Sequence, residues 1–249
     1  MTATSTLEPR LLELSRELRL GPRVLDLYKN VEFTTPIEYL VTLLQLICDE
    51  RAEERVQRNR KNAGFRGEKF LSNFDNSNLE LPPTITWDYI TSCKFIADKM
   101  NLFLSGNPGT GKTHLATALG IAACEHGFKP AFYSVTGLIE SLNNAFNAGT
   151  HNELIKRIVR HDVIILDEMG YVPLPQRGTE LLFQFVSACE ERTSLIITSN
   201  FPFSEWNRVL GSERLVNAIV DRLVERCYCI KHGGESRRLA HSLKLNGLS

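Results

Sequence analysis

No run of apolar residues approaches the roughly 18 that would cross a membrane as a helix, and Met1 to Arg10 lacks the basic-then-apolar order of a secretory signal. The expectation is a cytoplasmic protein with no membrane partner. An excess of one charge is also missing: Lys plus Arg and Asp plus Glu number 29 each. No whole-molecule field draws the chain to polyanions, so any such contact must be local. The six cysteines are scattered through apolar, element-like segments, which suits buried thiols and excludes a disulfide framework. Only Cys227 and Cys229 are close, and they have no second pair or Cys/His cluster beside them to complete a zinc site. Internal repeats and low-complexity tracts are absent, which excludes a solenoid.

The composition, 43% hydrophobic and 23% charged, suits one full globular domain with a smaller appendage. Thr35-Pro36-Ile37-Glu38 predicts a helix start: threonine as N-cap, proline where its missing N–H costs nothing, glutamate to close a capping box. Ile37, Leu40, Val41, Leu44 and Ile47 then recur at helical spacing, as in a small helical domain that docks on something. Asn62-Ala63-Gly64 breaks that pattern and Pro82-Pro83 breaks the chain again. The expected division is an N-terminal helical domain over 1–70, a connecting segment over 71–100 and a main domain over 101–249.

Between Arg51 and Lys69, Arg51, Arg55, Arg58, Arg60, Lys61, Arg66 and Lys69 outnumber Glu53, Glu54 and Glu68. This is the best local candidate for DNA contact, with Arg58, Arg60, Lys61, Arg66 and Lys69 as its residues. A solvated helix end is the blander reading, and composition alone favours it.

From Asn101 onward, short apolar runs alternate with amphipathic stretches, the pattern of a parallel sheet flanked by helices. The predicted strands are Leu102 to Leu104, Ala131 to Val135, Val163 to Leu166, Leu195 to Thr198 and Tyr228 to Lys231, with helical patterns such as Leu181 to Cys189 between them.

Gly106-Asn107-Pro108-Gly109-Thr110-Gly111-Lys112-Thr113 fits the G-x-x-x-x-G-K-[ST] phosphate loop in full and lies between an apolar strand and a helix. Its glycines let backbone N–H groups turn inward around phosphates, and the helix start near Gly111 favours anions. Lys112 is expected to reach the β- and γ-phosphates of ATP, Thr113 to place its hydroxyl on Mg²⁺, and His114 to line the nucleotide site.

Val163 to Leu166 leads into Asp167 and Glu168. Two carboxylates at the end of a buried strand need compensation, which a magnesium–ATP complex supplies. Asp167 is the expected metal ligand and Glu168 the residue that polarises the attacking water, on a strand adjacent to the phosphate loop. A strand end meeting solvent would also account for the pair taken without the loop. Asn200, ending another apolar strand, is placed to fix that water and sense the γ-phosphate; an asparagine before Phe201-Pro202 also makes a simple turn.

Phosphate loop, Asp-Glu pair and strand-end asparagine together resemble the AAA+ superfamily, in its branch of bacterial initiators and helicase loaders. Within it the chain resembles IstB-type ATPases, the helper proteins of insertion-sequence transposition. The resemblance runs through Gly106 to Thr113, Leu166 to Tyr171, Glu180 to Gln184 and Ser194 to Trp206. It continues through Asp221-Arg222-Leu223 and Gly234-Glu235-Ser236, covering about 100–240; Arg237 departs from it, standing where an aromatic is expected before Arg238. It implies a five-stranded parallel AAA+ P-loop sheet flanked by helices and preceded by a small N-terminal helical domain. It also implies a homo-oligomer with nucleotide at subunit interfaces, duplex DNA, and a partner transposase of the IstA type. An arginine from the neighbouring subunit completes the site, and Arg222 and Arg226, one turn apart on the helical stretch Ala218 to Arg226, are both candidates; surface pairing with Asp221 and Glu225 is the alternative. After Lys231 too little chain remains for a C-terminal lid domain, so a neighbour is expected to close the site. A helicase-loader ATPase of replication is the alternative function, and a small-molecule P-loop kinase, which needs neither Asn200 nor a second subunit, a more distant one.

Overall fold

The computed structural model describes residues 4–239 apart from Pro22 and Phe33, together with Ser242 and Asn246; Met1 to Ala3 and the rest of 240–249, where part of the expectations about both chain ends falls, lie outside the described residues. The chain divides into two compact units, Met1–Gln57 and Arg58–Ser249.

The first unit contains α1 (Thr4–Glu17), α2 (Val24–Leu27) and most of α3 (Pro36–Asn62), whose last residues belong to the second unit. The capping box predicted at Thr35 is present in altered form. The Glu38 amide donates to Thr35 Oγ1 at 3.3 Å, while the Glu38 carboxylate accepts from the amide of Thr34 at 2.9 Å instead of that of Thr35. Ion pairs Arg23–Glu50 and Lys29–Glu8 and the Tyr28–Glu8 hydrogen bond tie the unit together. Of the predicted apolar stripe, Ile47 is buried, whereas Ile37, Leu40, Val41 and Leu44 are exposed. No helix among the described residues is long and apolar enough to cross a membrane.

In the second unit, six strands, β1 (Leu79–Glu80), β2 (Asn101–Gly106), β3 (Pro130–Ser134), β4 (Val163–Met169), β5 (Ser194–Ser199) and β6 (Cys227–His232), form one sheet in the order β1-β6-β2-β5-β4-β3. The five predicted strands are present and mutually parallel; β1 adds a short antiparallel edge on β6. Strand order corrects one expectation: β4, with its carboxylates, is not adjacent to the phosphate-loop strand β2, because β5 runs between them. Residue Val135 starts a helix where a strand end was expected, since Ser134 Oγ accepts from the Gly137 amide and caps it.

Seven further helices flank the sheet: α4 (Trp87–Thr91), α5 (Lys94–Ala97), α6 (Lys112–Glu125), α7 (Val135–Asn147), α8 (His151–Ile158), α9 (Gln176–Cys189) and α10 (Glu213–Val224). Alternation along β2 decides the layers. Leu102 and Leu104 join the core under α4, α5 and α6, while Phe103 joins the opposite core with α7, α9 and α10. Helix α6 is small-residue rich, and at Gly120 an added Cβ would stand 2.7 Å from the Phe65 ring and 2.8 Å from Ile165. That closeness holds the phosphate-loop helix against the sheet.

The unit boundary falls earlier than the expected residue 70. Asn59 Nδ2 donates to the Phe128 carbonyl at 3.0 Å, Ala63 O accepts from the Phe132 amide at 2.7 Å, and both Asn59 and Ala63 are buried. The segment 71–100, expected to be a connection, supplies Phe74, Ile85, Ile90, Phe95 and Ile96 to the core. Beyond β6 the described residues form a turn and a short stretch carrying Arg237 and Arg238, with no lid bundle among them.

Candidate nucleotide site

The end of β2, the start of α6 and the ends of β4 and β5 converge on one cleft. It is lined by the phosphate loop from Pro108 to His114, by Glu168, Met169 and Tyr171, by Thr198, Ser199 and Asn200, and by Arg66, Lys69, Arg237 and Arg238. Gly106, Gly109 and Gly111 have φ of 147°, 83° and 97°, a conformation that turns successive amides inward and that side-chain-bearing residues rarely adopt. A Cβ at Gly106 would collide with the carbonyl of His232, and one at Gly109 with Ser236. Loop and C-terminal segment are thus fitted to each other, and the Arg237 amide donates to Gly109 O at 3.0 Å.

Lys112 is 7% exposed and donates to the carbonyls of Gly106 at 2.7 Å and Asn107 at 2.8 Å. Burial pulls its ammonium down to about 8, with Arg238 adding to the shift and Asp167 opposing it. A cation desolvated in this way, beside a ring of inward amides, suits an anion. Asp167 is 2% exposed, and its Oδ1 accepts from Thr113 Oγ1 at 2.9 Å and from Thr198 Oγ1 at 2.6 Å. A hydroxyl beside a carboxylate is the oxygen set a magnesium ion carried in on phosphates prefers. The residues therefore fit a magnesium-bound nucleoside triphosphate.

A bulge separates the two carboxylates. The β4–β5 register shifts between Leu166 and Met169, and Glu168 has φ 65°. Asp167 stays buried while Glu168 is exposed in the cleft, its amide donating to Thr198 Oγ1 at 3.0 Å. Positive φ in a non-glycine residue costs roughly 1–3 kcal/mol, and the hydrogen bond from the Glu168 amide to Thr198 helps hold that conformation. Asn200 directly follows β5, the strand next to β2, and lines the same cleft.

Arg222 and Arg226 lie elsewhere. Arg226 follows the end of α10 instead of lying on it, its carbonyl accepts from the Asn101 amide at 2.7 Å, and its Nη2 donates to the Asp98 carbonyl at 2.7 Å. Asn101 begins β2 and Gly106 ends it, so the arginines sit at the end of β2 opposite the phosphate loop. Arg222 lies over the Phe183 ring and pairs with Glu190 at 3.6 Å, not with Asp221 or Glu225.

The basic stretch divides as well. Arg66 and Lys69 line the nucleotide cleft, and Arg60 pairs with Glu68 at 3.2 Å and lies over the Phe70 ring. Arg58 and Lys61 remain exposed, and neither forms an ion pair among the described residues.

Three features escape sequence reasoning. Thr198 bridges Asp167 and Glu168; its signal is a hydroxyl at the end of a strand, visible only once β5 is known to pair with β4. Phe74 is covered by the Arg237 guanidinium at 5.2 Å and met by the rings of Trp87, His114 and His232. Arg237, where the resemblance expects an aromatic, also donates to the Asp75 carbonyl at 2.6 Å. His232 is 4% exposed and burial pushes it down to about 4, so it is neutral beside the cationic cleft.

Residues 29–245 match the family of IstB-like ATP binding proteins. A putative insertion sequence ATP-binding protein of Sinorhizobium fredii is 34% identical over 193 residues, which are 76% of this chain and 64% of that protein. The insertion sequence IS232 putative ATP-binding protein of Bacillus thuringiensis subsp. berliner is 30% identical over 219 residues, 87% of this chain and 86% of that one. Among solved structures, the crystal structure of DnaI superposes with a TM-score of 0.58 at 22% identity, covering 73% of this chain and 100% of that chain, a likeness of fold alone. With its phosphate loop, acidic pair and strand-end asparagine inside the matched span, the chain belongs to the IstB-like ATP-binding protein family.

Proposed function

We propose that the chain is a magnesium-dependent ATPase that assembles on duplex DNA in its ATP-bound state and assists a partner transposase in insertion-sequence transposition. The observation that carries the ATPase reading is the bulge that buries Asp167 against Thr113 at 2.9 Å while Glu168 opens into the phosphate-loop cleft. A bound magnesium ion would supply positive charge at the phosphate oxygens, held by Thr113 and Asp167. Lys112 exchanges the carbonyls of Gly106 and Asn107 for β- and γ-phosphate oxygens, and the loop amides bind the remaining charge. Glu168 accepts hydrogen bonding from the attacking water and draws off its proton, while Asn200 orients that water. His114 lines the nucleotide cleft, with the Phe74 ring packed against it.

Arg222 and Arg226 cannot serve their own cleft. The five residue steps from Asn101 to Gly106 span about 17 Å at about 3.3 Å each, more than an arginine side chain can bridge. Either guanidinium acts in a second copy, which makes turnover depend on assembly. For DNA, Arg58 and Lys61 are the candidates, contacting phosphates without reading sequence.

Imaging the purified chain with magnesium and a non-hydrolysable ATP analogue, with and without duplex DNA, tests this reading. Assemblies that require nucleotide and lengthen or multiply on DNA support it. Particles of the same size under all conditions refute the nucleotide switch. Lys112→Ala should abolish both nucleotide retention and assembly; unchanged retention would refute the loop assignment.

A further inference from the structure

The planar side chains along the nucleotide cleft are not equivalent. Tyr171 stands at the end where Glu168 and Asn200 lie, and the His114 ring meets Phe74 edge-on, its Nε2 buried without a hydrogen-bond partner among the described residues. The guanidiniums of Arg66 and Arg238 make no hydrogen bond, ion pair or ring contact among the described residues. Arg237 is held. Its guanidinium lies over the Phe74 ring at 5.2 Å, and Phe74 is itself stacked on Trp87 at 6.1 Å and 19°. Its Nη2 donates to the Asp75 carbonyl at 2.6 Å, and its amide donates to Gly109 O at 3.0 Å. Main chain and side chain are both tied, so binding has little rotamer freedom left to remove there.

Strand order says which end of a nucleotide Arg237 would meet. The phosphate-loop strand β2 has β5 and then β4 on one side, and β6 on the other. Glu168 and Asn200 come from β4 and β5 and mark the γ-phosphate end, so the nucleoside leaves the loop toward the β6 side, where the chain after β6 carries Arg237. The guanidinium stands beside the loop: a Cβ added at Gly111 would be 4.0 Å from its Cζ. Phe74 takes one face, yet the side chain is 36% exposed and lines the cleft, so the second face is the open one. Guanidinium planes stack on nucleobases much as aromatic rings do.

We propose that the open face of the Arg237 guanidinium is the platform on which the base of the bound nucleotide stacks. The residue at which this chain departs from the resemblance thereby becomes its base-binding residue, with a cation on an aromatic ring in place of an aromatic side chain. This inference rests on the ATPase reading above and concerns the end of the nucleotide remote from the chemistry. Charge alone would draw Arg237 to a phosphate oxygen instead, and plane and charge are separable by substitution.

Calorimetric affinities for magnesium ATP and for magnesium ribose 5′-triphosphate, which lacks only the base, test it. Their ratio reads the base alone, because a variant that merely loosens the phosphate loop weakens both ligands alike. Arg237→Lys keeps the charge without the plane, Arg237→Tyr keeps the plane without the charge, and Arg237→Ala keeps neither. The ratio should fall roughly tenfold in the alanine and lysine variants, the scale of one lost base stack, and stay within about threefold of the unaltered chain in the tyrosine variant. Any other order overturns the platform. A ratio preserved by lysine, or equal weakening of both ligands, identifies a phosphate contact or a structural role, and a ratio unchanged in Arg237→Ala shows that the base does not stack there; in each case the ATPase reading stands. An unaltered chain that binds neither ligand overturns that reading instead, and the platform with it.

Discussion

The hydroxyl of Thr198 donates to Asp167 Oδ1 at 2.6 Å and accepts from the amide of Glu168 at 3.0 Å. One side chain on β5 therefore fixes both carboxylates of the bulge on β4: it orders the buried acid and satisfies the main chain where the strand departs from regular pairing. Thr198→Ala leaves that amide without its partner and frees Asp167 from one of its two donors. We expect destabilisation of about 1–3 kcal/mol and a fall in turnover exceeding any loss of nucleotide affinity. Thr198→Ser should restore most of both. Thermal unfolding and ATPase assays check this; a Thr198→Ala variant with normal turnover would remove the residue from the site.

Glu168→Gln keeps the shape of the bulge and removes the basic oxygen. Nucleotide binding should persist while turnover drops roughly 100-fold or more, the usual scale for losing a general base, and nucleotide-bound assemblies should live longer. Single-turnover hydrolysis compared with nucleotide affinity separates these effects. Equal loss in both would place Glu168 in binding instead.

The depressed ammonium of Lys112 ties nucleotide affinity to pH. In the empty protein it loses its proton near pH 8, whereas a bound triphosphate favours the charged form and raises its value. Affinity should be complete below about 8 and should weaken as pH rises above it, by up to about tenfold per pH unit. Folding of the empty protein responds with the opposite sign. Between about 8 and 10.5 the unfolded chain holds the proton that the folded chain has lost, so this group makes stability rise with pH across that window. Calorimetric titration in buffers of different ionisation heat reads the proton uptake; pH-independent affinity from 7 to about 9.5 would contradict the assignment.

At Gly120 any side chain meets Phe65 and Ile165. Gly120→Ala should cost about 1–3 kcal/mol through overpacking, and combining it with Phe65→Leu should recover part of the loss because the two sites share one contact. Additive melting shifts in the double variant would show that the ring does not limit the approach.

Reversing Arg58 and Lys61 to glutamate should lower duplex affinity and flatten its dependence on salt, since each lost phosphate contact removes a released counterion. Reversal of Arg66 should instead disturb nucleotide binding, because that side chain lines the cleft. Nitrocellulose or anisotropy titrations at several salt concentrations separate the two outcomes. Unaltered binding after reversing Arg58 and Lys61 would return the end of α3 to a merely solvated surface.

Local rules were enough to read the phosphate loop, the strand-end carboxylates and the start of α3. A glycine pattern, an apolar run ending in charge, and a Thr-Pro cap each act over a few residues, and their consequences are local. The sequence by itself thus determined the five parallel strands, and it picked out the phosphate loop, Glu168 and Asn200, which line one cleft. It could not order the strands, because parallel neighbours are joined through long crossovers and pairing leaves no trace in spacing. Tertiary structure decided that β5 separates β4 from β2, and hence that Thr198 braces the acidic pair. It likewise decided that 58–100 packs into the larger core, that Arg66 and Lys69 face the nucleotide cleft, and that Arg222 and Arg226 lie beyond reach of it. Those relationships join residues far apart along the chain, and only the burial of both faces of one sheet brings them to fixed distances.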